Sequence, residues 1–343
     1  MDHKPILLSA PHFSEGRDQK IIDAIINSIK SIPEIKILDI NVNYSANRTV
    51  VNFAGAPNNV LEAAYNAIKV ASELIDMAQQ HGNHPRIGAT DVCPLIPFSG
   101  IGMEETVLLS EELAKKVGIT LGVPVYLYEN TAKEEHRREL PDIRRGQYEG
   151  LCEKMKQKDW TPDYGPHVFN PKTGATIIGA RSIIVALNIS LETKDLLIAK
   201  HIAERIRESG HLETINGEKQ VVKGLFPKLR SIGWYRPDME CVQVSVNILD
   251  YKVSSPLKVY EAIEAIAKGV GISITGSEIA GLIPEACLIE AGIFYYMKKG
   301  WNIPDDTQLL VHSGITFLGL SKHQIFDPKI KVLEYALSHA GLL

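Results

Sequence analysis

The chain has 343 residues, 45% hydrophobic and 23% charged, with a formal net charge of −4 and a sequence pI near 6.3. That is enough chain for two domains with ordinary cores, and it lacks the basic surplus of a general nucleic-acid binder. Its four cysteines (Cys93, Cys152, Cys241, Cys287) include no C-x-x-C pair, which argues against a zinc ribbon or a disulfide framework and for free thiols in a reducing compartment.

The N-terminal stretch MDHKPILLSAPHFSEGRDQK turns polar too early for a signal peptide, and no run approaches the ~20 apolar residues of a membrane span. A soluble, cytoplasmic protein is expected. Residues 5–9 and 35–40 read as strands on either side of a helix from about Asp18 to Ile32, and RTVVNFAG (48–55) reads as another strand. Leu61, Ala64, Ile68, Ala71, Ile75 and Ala78 recur at helical spacing, so a long amphipathic helix should start near Pro57 and deliver the chain into HGNHPRIGATDVCPLIP (81–97). The last part of that stretch predicts a short strand at a sheet edge or strand end, because Pro94 and Pro97 have no N–H to donate.

A helix over about 104–117 and a strand over 123–129 follow, then a charged, helix-prone segment at 130–160 interrupted at Pro141. TPDYGPHVFNPKTG (161–174) holds three prolines and two glycines, a loop long enough to expect a function. It leads into two strand-like runs joined at Gly179. From about 192 the alternation restarts with a helix over 192–209 and strands in LRSIGWY and CVQVSVNILDYKV. The second of these should turn Val242, Val244, Val246 and Ile248 inward and Gln243, Ser245, Asn247 and Leu249 outward. A helix at 256–268, a strand at GISITGS and helices at 284–299 and 328–340 complete a layered α/β or α+β chain.

No G-x-G-x-x-G follows a strand, and Walker A, H-E-x-x-H and G-x-S-x-G motifs are missing, which removes the dinucleotide and P-loop classes. His81 and His84 lie three apart but across Gly82 and beside Pro85, so a shared metal site with Asp91 is disfavoured. His84 sits between a glycine turn and a proline, which fits either an exposed loop histidine or an acid/base group on a rigid scaffold. From spacing alone the exposed histidine is favoured. Arg86 suits a bidentate carboxylate or a surface ion pair. Cys93 fits packing better than nucleophilic attack. Asn41, Asn43, Asn47 and Arg48 form either a polar site wall or a solvated turn, and the Gln243-Ser245-Asn247 face is either solvated or lines a wet cleft.

FSEG (13–16), SANRTV (45–50), HPRIGATDVCPLIP (84–97), PVYLY (124–128), DYGP followed by PKTGATIIGAR (163–181), IGWY (232–235), QVSVNILD (243–250) and GLIP (281–284) occur in order. Together, from about residue 6 to 340, they resemble the glutamate formimidoyltransferase family. The resemblance implies two similar α/β subdomains, 1–183 and 184–343, with facing mixed β-sheets, helices on the outer surfaces and a folate tunnel between. It implies the stand-alone form rather than the animal fusion to a cyclodeaminase. The implied reaction, in histidine degradation, moves a formimino group from N-formimino-L-glutamate to N5 of tetrahydrofolate. Tetrahydrofolate would be co-substrate, with no metal, no nucleic-acid or membrane partner, and a homodimer as the assembly.

On the matching positions, His84 becomes the general acid/base, suited by an ordinary imidazole pKa of ~6.5. Gly165, Pro166, Phe169, Pro171 and Gly174 fall in the folate-binding segment, with Phe169 offered to the pterin. Arg48, Arg86 and Arg181 are candidates to hold carboxylates of formiminoglutamate or folate. The sequence departs from the family pattern twice: His12 replaces an asparagine and Asn41 a carboxylate. Either Asp39 or Glu15 compensates, or the donor is a neutral formyl compound exchanging with 5-formyltetrahydrofolate. A non-catalytic folate-binding paralogue is the third alternative.

Overall fold

Strand alternation and three amphipathic helices build the N-terminal half. The computed structural model describes residues 4–215 and 217–343, and the chain divides between Ser182 and Ile183 into two compact units. The first unit holds β1 (Ile6–Ser9), β2 (His12–Phe13), β3 (Lys36–Asn43), β4 (Arg48–Gly55), β5 (Thr90–Ser99), β6 (Val125–Leu127) and β7 (Thr176–Ala180) in one sheet. β1 and β2 lie end to end, each antiparallel to β4 on one side and β5 on the other. β3 pairs β4 at the outer edge, while β7 and then β6 continue in parallel beyond β5.

One face of this sheet carries α1 (Gln19–Lys30), α2 (Pro57–Leu74) and α3 (Met103–Leu121). Asp18 caps α1 by accepting the Lys20 N–H at 2.8 Å. Ile22, Ile25 and Ile29, then Ala64, Ile68 and Ala71, then Leu113 and Val117 pack on Phe13, Val51, Phe53, Cys93 and Leu95. Each large apolar side chain so buried contributes about 1.5–3 kcal/mol. The opposite face takes the short helices α4 (Leu140–Arg144) and α5 (Gln147–Met155), whose Ile143, Leu151 and Met155 meet Val92, Tyr126 and Ile177.

Four expectations are corrected here. β5 is central, not an edge. Pro94 lies between Leu95, which pairs Ser9, and Val92, which pairs His12. It therefore faces the Ala10–Pro11 break between β1 and β2, where no ladder bond is required, and its carbonyl accepts the Ser9 hydroxyl at 2.8 Å. Pro97 lies beyond the last β5–β7 pair, Leu95 with Ala180. The predicted helix to Ala78 stops at Leu74, because the Asp76 carboxylate takes the Ala78 N–H at 3.0 Å and forms a local turn. Pro141 opens α4 in its first turn instead of interrupting a helix. Gly179 lies inside β7, not at a joint: a Cβ there would sit 2.3 Å from the Tyr128 carbonyl oxygen.

The second unit contains β8 (Val185–Leu191), β9 (His211–Ile215), β10 (Glu218–Val222), β11 (Leu229–Arg236), β12 (Cys241–Ile248) and β13 (Ile274–Ile279). Its main sheet runs β11-β12-β8-β13, antiparallel at each pairing, and β9–β10 is a separate hairpin. The helices are α6 (Leu196–Ile206), α7 (Pro256–Gly269), α8 (Glu285–Lys299), α9 (Thr307–Phe317), α10 (Pro328–Lys331) and α11 (Leu333–His339). The hairpin and α9 are absent from the sequence reading. Val242, Val244, Val246 and Ile248 are fully buried as expected. Gln243, expected outward, is also fully buried; its amide donates to Ser190 Oγ at 3.0 Å and Glu278 at 3.1 Å. Among the described residues no helix is long and apolar enough to cross a membrane.

Candidate active site

Register brings His12 to the sheet face away from α1–α3. His12 pairs Val50 on β4 and Val92 on β5, and Val50 in turn pairs Asn41 on β3. Directly paired residues point the same way, whereas Phe13 points into the helical core. Arg48, two residues before Val50, shares the His12 face.

His84 arrives on the loop after α2, and Asn47 is the fastener. At φ +49°, Asn47 accepts the Gly16 N–H through Oδ1 at 2.9 Å and donates through Nδ2 to the His81 carbonyl at 3.1 Å. Its own carbonyl accepts Gln80 Nε2 at 3.1 Å. Gly82 permits the approach, since a Cβ there would lie 2.1 Å from the Ala46 oxygen. Residues 80–84 are thereby held against the turn that begins β4, and His84 comes to rest beside Arg48.

The Arg48 guanidinium bridges two imidazoles, Nη1 to His84 Nε2 and Nη2 to His12 Nδ1. His84 Nδ1 lies 2.8 Å from the Pro85 carbonyl, so a neutral ring there carries its proton on Nδ1 and turns the Nε2 lone pair to Arg48. Burial first, then Arg48 and Arg144, pushes His84 down to about 3, with Asp91 opposing. Burial, Arg48, Arg144 and Arg181 hold His12 well below the ordinary histidine value. Arg48 itself is lowered to about 10, chiefly by burial. Its buried Nε has no hydrogen-bond partner among the described residues, a donor still to be satisfied.

Asp91 supplies the carboxylate of this cluster through a β-bulge. His12 pairs Val92 and Phe13 pairs Thr90, so Asp91 is the extra residue, re-aimed out of the ladder. Its carboxylate is bound by Arg144 and accepts the Ile87 N–H at 3.1 Å.

The structure thus brings together His84, His12 and Arg48, with Arg181 acting on His12 through charge. Arg181 also acts on the buried Tyr128 hydroxyl and donates to the Ser182 carbonyl at 2.8 Å. Asn41 is exposed on the same face. Arg86 stands apart: it is buried and bidentate to Glu149 at 2.7 and 2.8 Å, with its Nε on Gln80 at 2.8 Å. Glu15 is spent on its own loop, one oxygen accepting the N–H groups of Gly16, Arg17 and Asp18 at 2.7–3.0 Å. His81 is exposed. Cys93 is fully buried, its thiol pushed up to about 12 by that burial.

In the 161–174 loop, Gly165 (φ +83°) and Gly174 (φ +62°) are the anchors. A Cβ at Gly165 would lie 2.5 Å from the Val123 oxygen, and one at Gly174 2.1 Å from the Ile87 oxygen. Ala89 N–H to the Thr173 carbonyl (2.8 Å) ties the loop's end to the segment after His84. Between the anchors Pro166 and Pro171 are exposed, and Phe169 rests on Tyr148 with ring centroids 5.5 Å apart. Sequence reasoning missed Arg144, which lay in an undifferentiated charged segment, and gave Asp91 no role beyond a disfavoured metal ligand. Among the described residues no group of three or more His, Cys, Asp or Glu side chains is arranged to hold a metal.

Two imidazoles held below the ordinary histidine range, among three guanidiniums and with one carboxylate committed to Arg144, define an α/β protein that carries on one sheet face groups able to hold an anion and exchange a proton. A family model for the formiminotransferase domain, N-terminal subdomain, matches residues 6–181, and one for the formiminotransferase domain matches residues 186–338. The chain belongs to the formiminotransferase family. It is 39% identical to a glutamate formimidoyltransferase of Streptococcus pyogenes serotype M1, covering 85% of this chain and 93% of that one. A glutamate formimidoyltransferase of Thermoplasma acidophilum is 37% identical, covering 85% and 92% respectively. A formimidoyltransferase-cyclodeaminase of Dictyostelium discoideum is 41% identical over 95% of this chain, which spans 59% of that relative's length.

Proposed function

We propose that this chain transfers a formimino group from N-formimino-L-glutamate to N5 of tetrahydrofolate, releasing L-glutamate, with His84 as general acid/base. The observation that carries this reading, in a chain of this family, is the Arg48 guanidinium held between His84 and His12 with Arg144 and Arg181 nearby. In the transfer the bond from the formimidoyl carbon to the glutamate nitrogen breaks and one to N5 forms. The attacking nitrogen sheds a proton and the departing nitrogen takes one. His84 Nε2, unprotonated in the free protein, accepts the first and returns the second. Arg48 occupies that lone pair until a carboxylate of the donor draws the guanidinium to itself, offering its free Nε as well. Neutralising the cation also removes one of the causes that depress the imidazole, burial remaining the largest. The segment from Gly165 to Gly174 receives the folate, with Phe169 as the aromatic surface.

The charge balance favours a second reading. Three guanidiniums with one carboxylate disfavour a cationic formamidinium donor, so a neutral N-formyl-L-glutamate, giving 5-formyltetrahydrofolate, suits the same site. Purified protein incubated with tetrahydrofolate and each donor separates the two. The expected result is one L-glutamate released per 5-formiminotetrahydrofolate formed, with a higher kcat/KM for the formimino donor. A large preference for the formyl donor establishes the second reading, and folate binding without either turnover makes the chain a folate-binding paralogue.

A further inference from the structure

Arg144 reaches Asp91 from α4, a helix of five residues (Leu140–Arg144). A single turn of helix does not stand alone, because its nucleation cost exceeds what so few hydrogen bonds return. Ile143 buries one apolar side chain. The other restraint comes from α5. Lys154 Nζ donates to the carbonyls of Asp142 (2.8 Å), Ile143 (2.7 Å) and Arg145 (3.1 Å). These carbonyls bracket Arg144 and belong to the C-terminal end of the helix, where only that of Asp142 has an internal donor, the Arg145 N–H at 3.3 Å, and a cation is favoured. An ammonium has three N–H donors, and here all three are used.

The same ammonium lies 3.6 Å from the centroid of the Trp160 ring. Trp160 meets Tyr126 edge to face at 6.2 Å and accepts its hydroxyl through the main-chain carbonyl at 2.7 Å. Tyr126 stands on β6, in the sheet that carries His12. Lys154 therefore clamps the end of α4 to a ring seated on the sheet, and both residues beside Arg144 feel the clamp directly.

We propose that Lys154 is a positioning residue for the site: it fixes α4 so that the Arg144 guanidinium engages Asp91 and faces the two histidines. The consequence for donor binding rests on the reading given under Proposed function; the consequence for Arg144 does not. Removing Lys154 frees the Ile143 and Arg145 carbonyls, leaves that of Asp142 only the Arg145 N–H at 3.3 Å, and lets α4 swing, which withdraws one of the cations that receive the donor's carboxylates.

The test uses the full chain with 15N-labelled arginine, the Arg144 Nε–H resonance being assigned by its loss in Arg144→Lys. In the unaltered protein this signal should stand apart from those of solvated arginines. It should collapse among them in Lys154→Met and persist in Lys154→Arg, which keeps the charge and donors. KM for N-formimino-L-glutamate should rise ~10-fold in Lys154→Met with a smaller change in kcat, and Lys154→Met should add almost nothing in an Arg144→Ala background. An Arg144 signal unmoved by Lys154→Met overturns the inference, as does an equal loss in both backgrounds. Should the unaltered protein transfer no formimino group, the functional reading falls while the resonance still decides the role of Lys154. Lys154→Gln, with two uncharged donors, serves the same comparison where Lys154→Met does not fold.

Discussion

Replacing His84 with alanine should lower formimino transfer by about two to four orders of magnitude while leaving folate affinity within about twofold. The asymmetry follows from the geometry. His84 meets Arg48 and its own Pro85 carbonyl, whereas the segment from Gly165 to Gly174 is anchored through Val123, Ile87 and Ala89. A pH profile distinguishes a catalytic loss from a structural one. Burial, then Arg48 and Arg144, pushes His84 down to about 3, so the imidazole stays neutral as pH falls through the ordinary histidine value near ~6.5. The acid limb of kcat/KM, which reports the free protein, should therefore lie below about pH 6. The limb of kcat should lie higher, because a bound carboxylate offsets the neighbouring cations. Unchanged turnover in His84→Ala, or a kcat/KM limb at or above pH 6.5, contradicts the assignment.

The largest loss of stability should come from Asp91→Ala. Asp91 is 1% exposed, and its carboxylate serves both Arg144 and the Ile87 N–H. Removing one partner of a buried pair strands the other charge, at about 3–5 kcal/mol. The stranded Arg144 also acts on Arg48, where Asp91 is the carboxylate that opposes it. At about 2–4 °C per kcal/mol for a unit of this size, the melting temperature should drop on the order of 10 °C. The contrary result is a melting temperature within about 2 °C of the unaltered protein. Asp91→Asn, which keeps an acceptor for Ile87 but not the charge, should fall between the two.

What the sequence disclosed follows physical range. Local periodicity found the core face of α2, since Leu61, Ala64, Ile68 and Ala71 repeat on one face within a few turns, and α1 and α3 were placed as helices without their core residues. It did not find α9, where Leu310, Val311, Gly314 and Ile315 are buried but apolar Leu309 is exposed beside Gln308, His312 and Thr316, so the polar face is short and broken by a leucine. Nor did it find the polar hairpin β9–β10, whose pairing depends on a partner strand instead of a buried face. The prolines of β5 misled because their tolerance depends on where the neighbouring strands end.

The site was legible only in pieces. His84 was singled out through the family's motif, since three residues of spacing to His81 carry no geometry. Meeting Arg48 required β4, and His12 had to reach the same face through β2. Arg86 showed the right chemistry and the wrong place, for a bidentate carboxylate does face it, but that carboxylate is Glu149. Glu15 offered a charge that its own loop had already consumed. Arg144 had no signal of its own, because its partner is exposed to it only through the bulge at Asp91.

A structure of the protein with tetrahydrofolate and a formiminoglutamate analogue tests the central claim most directly. His84 Nε2 should lie within about 3.2 Å of N5 or one bridging water away, with Arg48 turned from the imidazole onto a carboxylate of the analogue. An N5 far from His84, or an Arg48 still bridging His12 and His84 with the analogue bound elsewhere, would contradict it.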